Sequence, residues 1–179
     1  MSNTPVLTNI LLTNIVVLVI FLIVVRTLKQ EIKQNKPFAG IEHAVFLGLQ
    51  RTADILMTNV VCVLKQENLT FPQYNILRIL RGAGTEGLPV GEIGERMVTR
   101  EPDVTRLLDR LENRNFVVRS RETKDRRVVT ARITNEGLEL LCNLDAKVET
   151  MEKSLLEHLD EEKLRQLAQL LDEVRNVNE

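Results

Sequence analysis

Apolar residues at Val45, Leu49, Ala53, Leu56, Val60 and Leu64 recur at close to 3.6 positions, and no proline interrupts Ile41 to Leu64. This spacing predicts one long helix. Thr70 and Pro72 then give a start signal, N-cap and first-turn proline, for a second helix through Tyr74, Leu77 and Leu80 that ends at Gly82 and Gly84. A short helix is predicted with Val90, Ile93 and Met97 on one side. After a turn around Thr99 to Pro102, another follows with Val104, Leu107, Leu108 and Leu111 facing inward. Thr99 is the expected cap of that helix, with Glu101 and Asp103 complementing its dipole and Pro102 tolerated in its first turn.

The period then changes. Phe116 to Ser120 and Val128 to Ile133 are β-rich runs flanking a polar tip, Arg121 to Arg127, which reads as a hairpin. Thr134 caps a further helix to about His158, and a last helix runs from Asp160 to Val174. Two short helices joined by a tight turn form a helix-turn-helix unit, and the attached hairpin makes it a winged one. The expected fold is mainly α with a small β-wing. The winged helix-turn-helix occupies 71–134 and is flanked by N- and C-terminal helices at 41–67 and 135–176. These have more apolar surface than a small wing domain needs, so they are expected to build a dimer. Residues 26–40 are expected to link them to what precedes.

Residues 6–25 form an uncharged run long enough to span a bilayer core. Arg26, Lys29, Lys33 and Lys36 follow it, which by the positive-inside rule would leave the remainder of the chain in the cytoplasm. Two readings stand side by side: a transmembrane tether to the inner membrane, and a start codon assigned too early. The absence of a basic region before the run and of a small-residue cleavage site after it argues against a cleaved signal peptide.

Charge sharpens the picture once it is divided along the chain. The net charge is −1, yet residues 99–132 carry 10 Lys or Arg against 6 Asp or Glu, while residues 133–179 carry 5 against 12. A basic segment can neutralise phosphates locally, whereas the acidic tail is repelled by them. With no Trp, one Tyr and five Phe, the chain has few platforms for stacking on unpaired bases, which favours duplex over single-stranded DNA. Gly82 to Gly87 matches G-x-G-x-x-G but lacks the preceding strand and following helix that a dinucleotide site requires, so it reads as a loop. His43 and His158 lack metal-ligand spacing and a nearby nucleophile, so no catalytic centre, metal site or cofactor is expected. Cys62 and Cys142 sit in aliphatic runs and are expected to be small buried residues.

The second helix of a helix-turn-helix can place its first residues against base edges in the major groove. Thr99, Arg100, Asp103, Thr105, Arg106, Arg110 and Arg114 are the candidates on it. Arg106 suits a bidentate contact to guanine, Thr105 a base or phosphate, and Arg110 and Arg114 phosphates. At the hairpin tip Lys124, Asp125, Arg126 and Arg127 suit the minor groove, whose negative potential attracts arginine.

The stretch VTRLLDRLENRNFVVRSRETKDRRVVTARITNEG, Val104 to Gly137, resembles the MarR family signature: a recognition helix ending in D-R-L-E, a D-x-R wing, and a helix start after Ile-Thr. The likeness covers about residues 41–179. It implies a homodimer built from the first and last helices, with Arg127 entering the minor groove and Asp125 orienting it. It also implies control by a small aromatic or phenolic effector in the cleft between dimerisation helices and DNA-binding lobe. The usual glycine after D-R-L-E is Asn115 here, which tolerates the left-handed conformation. The expected function is a ligand-responsive repressor that binds a pseudo-palindromic double-stranded operator. The rival is a membrane-associated helical protein whose winged helix binds protein.

Overall fold

The computed structural model describes residues 27–100, 103–121 and 128–176. The apolar run at 6–25 and the wing-tip residues Lys124, Asp125, Arg126 and Arg127 lie outside these. Backbone contacts divide the chain into two units, Met1–Asp54 and Ile55–Glu179.

The first unit contains α1 (Leu28–Glu31) and the start of α2 (Ile41–Lys65). The linker expected at 26–40 thus holds one helical turn. It forms because the Gln30 side chain accepts from the Thr27 amide at 2.9 Å, satisfying a donor that a helix start leaves free. Arg51 on α2 pairs with Glu31 and Asp54, each at 3.3 Å. Ile41, Val45 and Phe46 stand exposed on α2, Ile41 at 72%.

In the second unit α3 (Phe71–Ala83) begins at the expected cap. Thr70 Oγ1 accepts from the Gln73 amide, and Gln73 Oε1 accepts from the Thr70 amide at 3.0 Å. Gly84, at φ +67°, ends the helix, and Gly82 lies within it. A 3₁₀ turn (Gly84–Glu86) and Gly87 lead into β1 (Leu88–Pro89), a strand the period analysis misses. The G-x-G-x-x-G segment therefore runs from helix to strand, the reverse of the order a pyrophosphate loop requires.

Next come α4 (Val90–Glu95), α5 (Val104–Glu112), β2 (Val117–Arg121), β3 (Val129–Ile133), α6 (Asn135–Leu156) and α7 (Glu161–Asn176). The three strands form an antiparallel sheet in the order β1-β3-β2, with Leu88 opposite Ala131 and Arg119 opposite the same residue from the other side. Thr134 caps α6 as expected, accepting from the Gly137 amide at 3.1 Å. Its hydroxyl also donates to the Asn115 carbonyl at 2.6 Å, which fastens the start of α6 to the turn after α5. Asn115 sits at φ +60°, in the left-handed conformation its sequence position suggests.

One aliphatic core joins these elements. Leu64 of α2, Ile76, Leu77 and Leu80 of α3, Ile93 of α4, Leu108 and Leu111 of α5, and Leu141 and Leu144 of α6 are fully buried in it. The two cysteines depart from expectation, since both are exposed. On α2 the inward positions are Val60, Val63 and Leu64, and on α6 they are Leu141 and Leu144. Cys62 and Cys142 lie next to those positions in sequence but about 100° or more away from them around the helix, so an aliphatic neighbourhood in sequence gives no burial.

Candidate nucleic-acid interface

The recognition helix α5 starts later than its sequence suggests. Its cap is Asp103, whose side chain accepts from the Arg106 amide at 3.0 Å, and Thr99 is not the cap. The sequence carried a warning, because the residue before a proline is disfavoured in helical conformation, and Pro102 follows Glu101. Thr99 and Arg100 are exposed in the segment that leads to the helix. Thr99 lines a cleft of about 570 Å³ with Lys65, Leu69, Phe71 and Pro72.

With Leu108 and Leu111 buried, the helical period turns Thr105, Arg106, Asp109 and Arg110 outward, and all four are exposed. Thr105 borders a groove of about 380 Å³ shared with Pro89, Val90 and Gly91 and with Arg119, Val128 and Val129 of the wing. The helix and the wing base therefore flank one concave surface. Among the described residues, Arg100, Arg106 and Arg110 have no ion-pair partner. The i,i+3 and i,i+4 pairings that would occupy Arg106 with Asp109 or Asp103 are not formed.

Asp109 is occupied elsewhere. Arg119, on β2, reaches back to Asp109 at 2.6 Å and to Glu112 Oε2 at 2.5 Å, and its own amide donates to Glu112 Oε1 at 3.0 Å. The sequence reading passed over Arg119, although a basic residue seven positions after the D-R-L-E glutamate, across a left-handed turn, is a signal for such a return contact. Two consequences follow for the surface. The wing is fastened to the recognition helix, and Arg119 offsets one of the two carboxylate charges on that side of α5, so that with Arg106 and Arg110 the five side chains carry a net positive charge.

The Arg119 hydrogen bond holds the Glu112 carboxyl below its ordinary range, against an opposing but smaller effect of burial. A depressed carboxylate contributes stability above its unfolded value, about pH 4.3, which is lost as pH falls through the lower folded value. The helix-to-wing clasp is thus expected to open only below the usual glutamate range. An NMR titration of the Glu112 carboxyl is expected to show a midpoint below the ordinary glutamate value of about 4.3. A Glu112→Gln chain is expected to lose the corresponding acid transition.

Arg114 does not join the exposed face. Its Nη1 donates to the Asn68 carbonyl at 2.8 Å and its Nη2 to the Glu67 carbonyl at 2.9 Å, while its guanidinium carbon lies 4.6 Å from the centre of the Phe116 ring. The expectation that it meets phosphate is therefore replaced by an internal role: one position beyond the helix C-cap, the side chain is directed back toward the α2–α3 turn. Of the other expected contacts, Asp103 serves as the cap, and the wing tip at 124–127 lies outside the described residues.

A second, more polar pocket of about 340 Å³ lies between α3 and α6, lined by Tyr74, Arg78, Arg81, Asp145, Val148, Glu149 and Glu152. Arg81 pairs with Asp145 at 2.7 Å, whereas Arg78 is exposed and lies over the Tyr74 ring at 5.7 Å. Burial raises the Tyr74 phenol above its ordinary value, which keeps it a neutral donor at physiological pH.

Comparison with known proteins gives the same picture. Residues 69–129 match the MarR family model. The HTH-type transcriptional regulator FarR of Neisseria gonorrhoeae is 31% identical over 139 residues, covering 77% of this chain and 94% of that protein. A MarR transcription factor from Planctomyces limnophilus superposes with a TM-score of 0.60 at 35% identity, over 76% of this chain and 98% of the other. NadR, solved in complex with 4-hydroxyphenylacetate, does so with a TM-score of 0.61 at 30% identity, over 75% and 96%. With the helix-turn-helix, the wing and its D-R-L-E clasp all in place, the chain belongs to the MarR family.

Proposed function

We propose that this chain is a transcriptional regulator that reads a pseudo-palindromic duplex operator as a homodimer, acts as a repressor, and responds to a small aromatic or phenolic effector. The observation that carries the reading is the unpaired cationic face of α5, where Arg106 and Arg110 project while Arg119 engages both Asp109 and Glu112 and offsets one of their two charges. A basic surface on a solvated helix would keep its i,i+4 ion pairs, which offset the like-charge repulsion. Here the acids are drawn to the wing and the arginines are left for an external anion. Arg106 and Thr105 are assigned to base edges and Arg110 to phosphate, with Arg100 and Thr99 ahead of the helix and Lys124, Asp125, Arg126 and Arg127 at the minor groove.

The second copy is supported by the flanking helices. On α2, Ile41, Val45, Phe46, Ile55, Leu56 and Val61 are exposed, and on α7 so are Leu167, Leu170 and Val174. Two-fold symmetry then places half-sites about 34–36 Å apart, one turn of the duplex. The pocket at Tyr74 and Arg78 suits a small phenolic effector: a ring wall, a phenol donor and an exposed guanidinium, with the carboxylates of Glu149 and Glu152 to accept from its hydroxyl. Its position between α3 and α6 supports this reading, since an occupant there would touch both the helix-turn-helix lobe and a flanking helix.

Selecting duplexes from a random pool with the purified chain, then titrating the winner at several salt concentrations, tests this reading. Arg106→Ala is expected to cost about 1–3 kcal/mol and to relax selectivity at one base pair. Arg110→Ala is expected to reduce the slope of log K against log salt by about one. Arg127→Ala is expected to weaken binding, and a phenolic effector held at the Arg78 pocket to lower the affinity of the unaltered chain. Undiminished affinity in both Arg106→Ala and Arg127→Ala would sink the geometry. Affinity that ignores salt would sink the DNA reading and favour a protein partner for the wing.

A further inference from the structure

Both ends of the recognition helix are tied to one short stretch of chain. Ahead of it, Asn75 Oδ1 accepts from the Val98 amide at 2.8 Å, holding the turn that leads into α5. Asn75 is 8% exposed, and the bond crosses 23 positions of sequence. Behind the helix, the Arg114 fork grips the Glu67 and Asn68 carbonyls. The two receiving sites, 67–68 and 75, bracket the α2–α3 turn and the first turn of α3.

That stretch is well fixed. Asn68 sits at φ +51° with its amide bonded to the Lys65 carbonyl at 3.1 Å, Leu69 is 5% exposed, and Thr70 and Gln73 cap each other. We infer that the segment Glu67–Asn75 sets the pitch of α5, and that Arg114 and Asn75 are positioning residues for sequence reading and not DNA ligands. The inference rests on α5 being the helix that enters the groove.

The physical distinction lies in how base and phosphate contacts fail. Base-edge hydrogen bonds are directional and weaken steeply with misalignment, whereas attraction to phosphate depends on charge and tolerates a tilted helix. Loosening either tie therefore lowers preference for the selected duplex while leaving general attraction to DNA intact. Lysine discriminates between the two roles of Arg114. It keeps the positive charge a phosphate would need, but lacks the planar fork that spans two carbonyls and lies over Phe116.

The experiment compares the full chain with Arg114→Lys and Asn75→Ala on its selected duplex and on an unrelated duplex of equal length, across a salt series. Each variant is expected to lose about tenfold or more in preference for the selected duplex, as one misaligned base contact would cost, with the salt slope unchanged. Arg114→Lys with full preference would overturn the role given to Arg114. The same test of Asn75 is backed by hydrogen exchange in the unaltered chain. The Val98 amide is expected to exchange far more slowly than that of the exposed Arg100, and equal exchange would overturn that tie even if Asn75→Ala does not fold. A parent chain without preference for any duplex would overturn the assignment of α5 itself. Preference that survives both substitutions overturns only the inference made here.

Discussion

A Gly87→Ala chain is expected to unfold at much lower urea concentration than its parent, having lost roughly 3 kcal/mol or more of stability. Gly87 has φ +70°, a region that costs a side-chain-bearing residue about 1–2 kcal/mol by itself. The larger part is steric. A Cβ at this position would lie 2.2 Å from the Ala131 carbonyl oxygen and 2.5 Å from Arg132 Cγ. The arginine side chain can swing away, but the carbonyl belongs to the central strand and cannot retreat without parting β3 from a neighbour. Gly82→Ala is the matched control. It lies inside α3 with nothing within 4 Å of its would-be Cβ, and alanine there is expected to be stabilising by about 0.5–1 kcal/mol.

Leu108→Ala is expected to cost about 2–5 kcal/mol, the range for removing a buried leucine from a core that cannot fully collapse around the gap. Leu108 is completely buried beneath the recognition helix, and it belongs to the same cluster as Ile93 of the preceding helix. The substitution leaves Thr105, Arg106 and Arg110 untouched. Duplex binding is therefore expected to fall in step with the folded fraction measured by circular dichroism, and to recover when cooling or an osmolyte restores folding. Affinity that stays low in a fully folded Leu108→Ala chain would show that this leucine also sets the helix orientation.

The elements legible in sequence are those whose signals are local. The apolar period of α2 gives its extent almost to the residue, Thr70 and Thr134 are caps because a hydroxyl three residues before a free amide needs nothing else, and Asn115 takes the left-handed turn itself. What escaped depends on distant partners. β1 has two residues and no period of its own, and it is a strand only because β3 lies beside it. Arg114 and Arg119 look alike as basic residues in a basic segment. The first is turned inward by carbonyls 46 and 47 positions away, the second by carboxylates on the helix before it. The cysteines were misjudged because composition within a helix does not say which side of it faces the core. The exposure of Arg106 and Arg110 on α5 was thus legible from the apolar period, while the separate partners of Arg114 and Arg119 required the fold.

The order of strands in the wing bears on how copies of the protein behave when crowded. β3 is covered on both sides, so the sheet can recruit another strand only along β1 or β2. The β1 edge is two residues long, and one of them, Pro89, has no amide hydrogen to offer. The β2 edge carries the exposed Arg121, and Arg119 on it is clasped to α5, so two such edges would bring like charges together and would meet a strand already fastened to a helix. DNA gathers many copies of a protein that binds it at high local concentration with their wings held in similar orientations. Under those conditions an open, uncharged strand edge would invite end-on fusion into aggregates. The short proline edge and the arginine edge keep neighbouring molecules separate, so resistance to edge-to-edge fusion is built into the wing sheet itself.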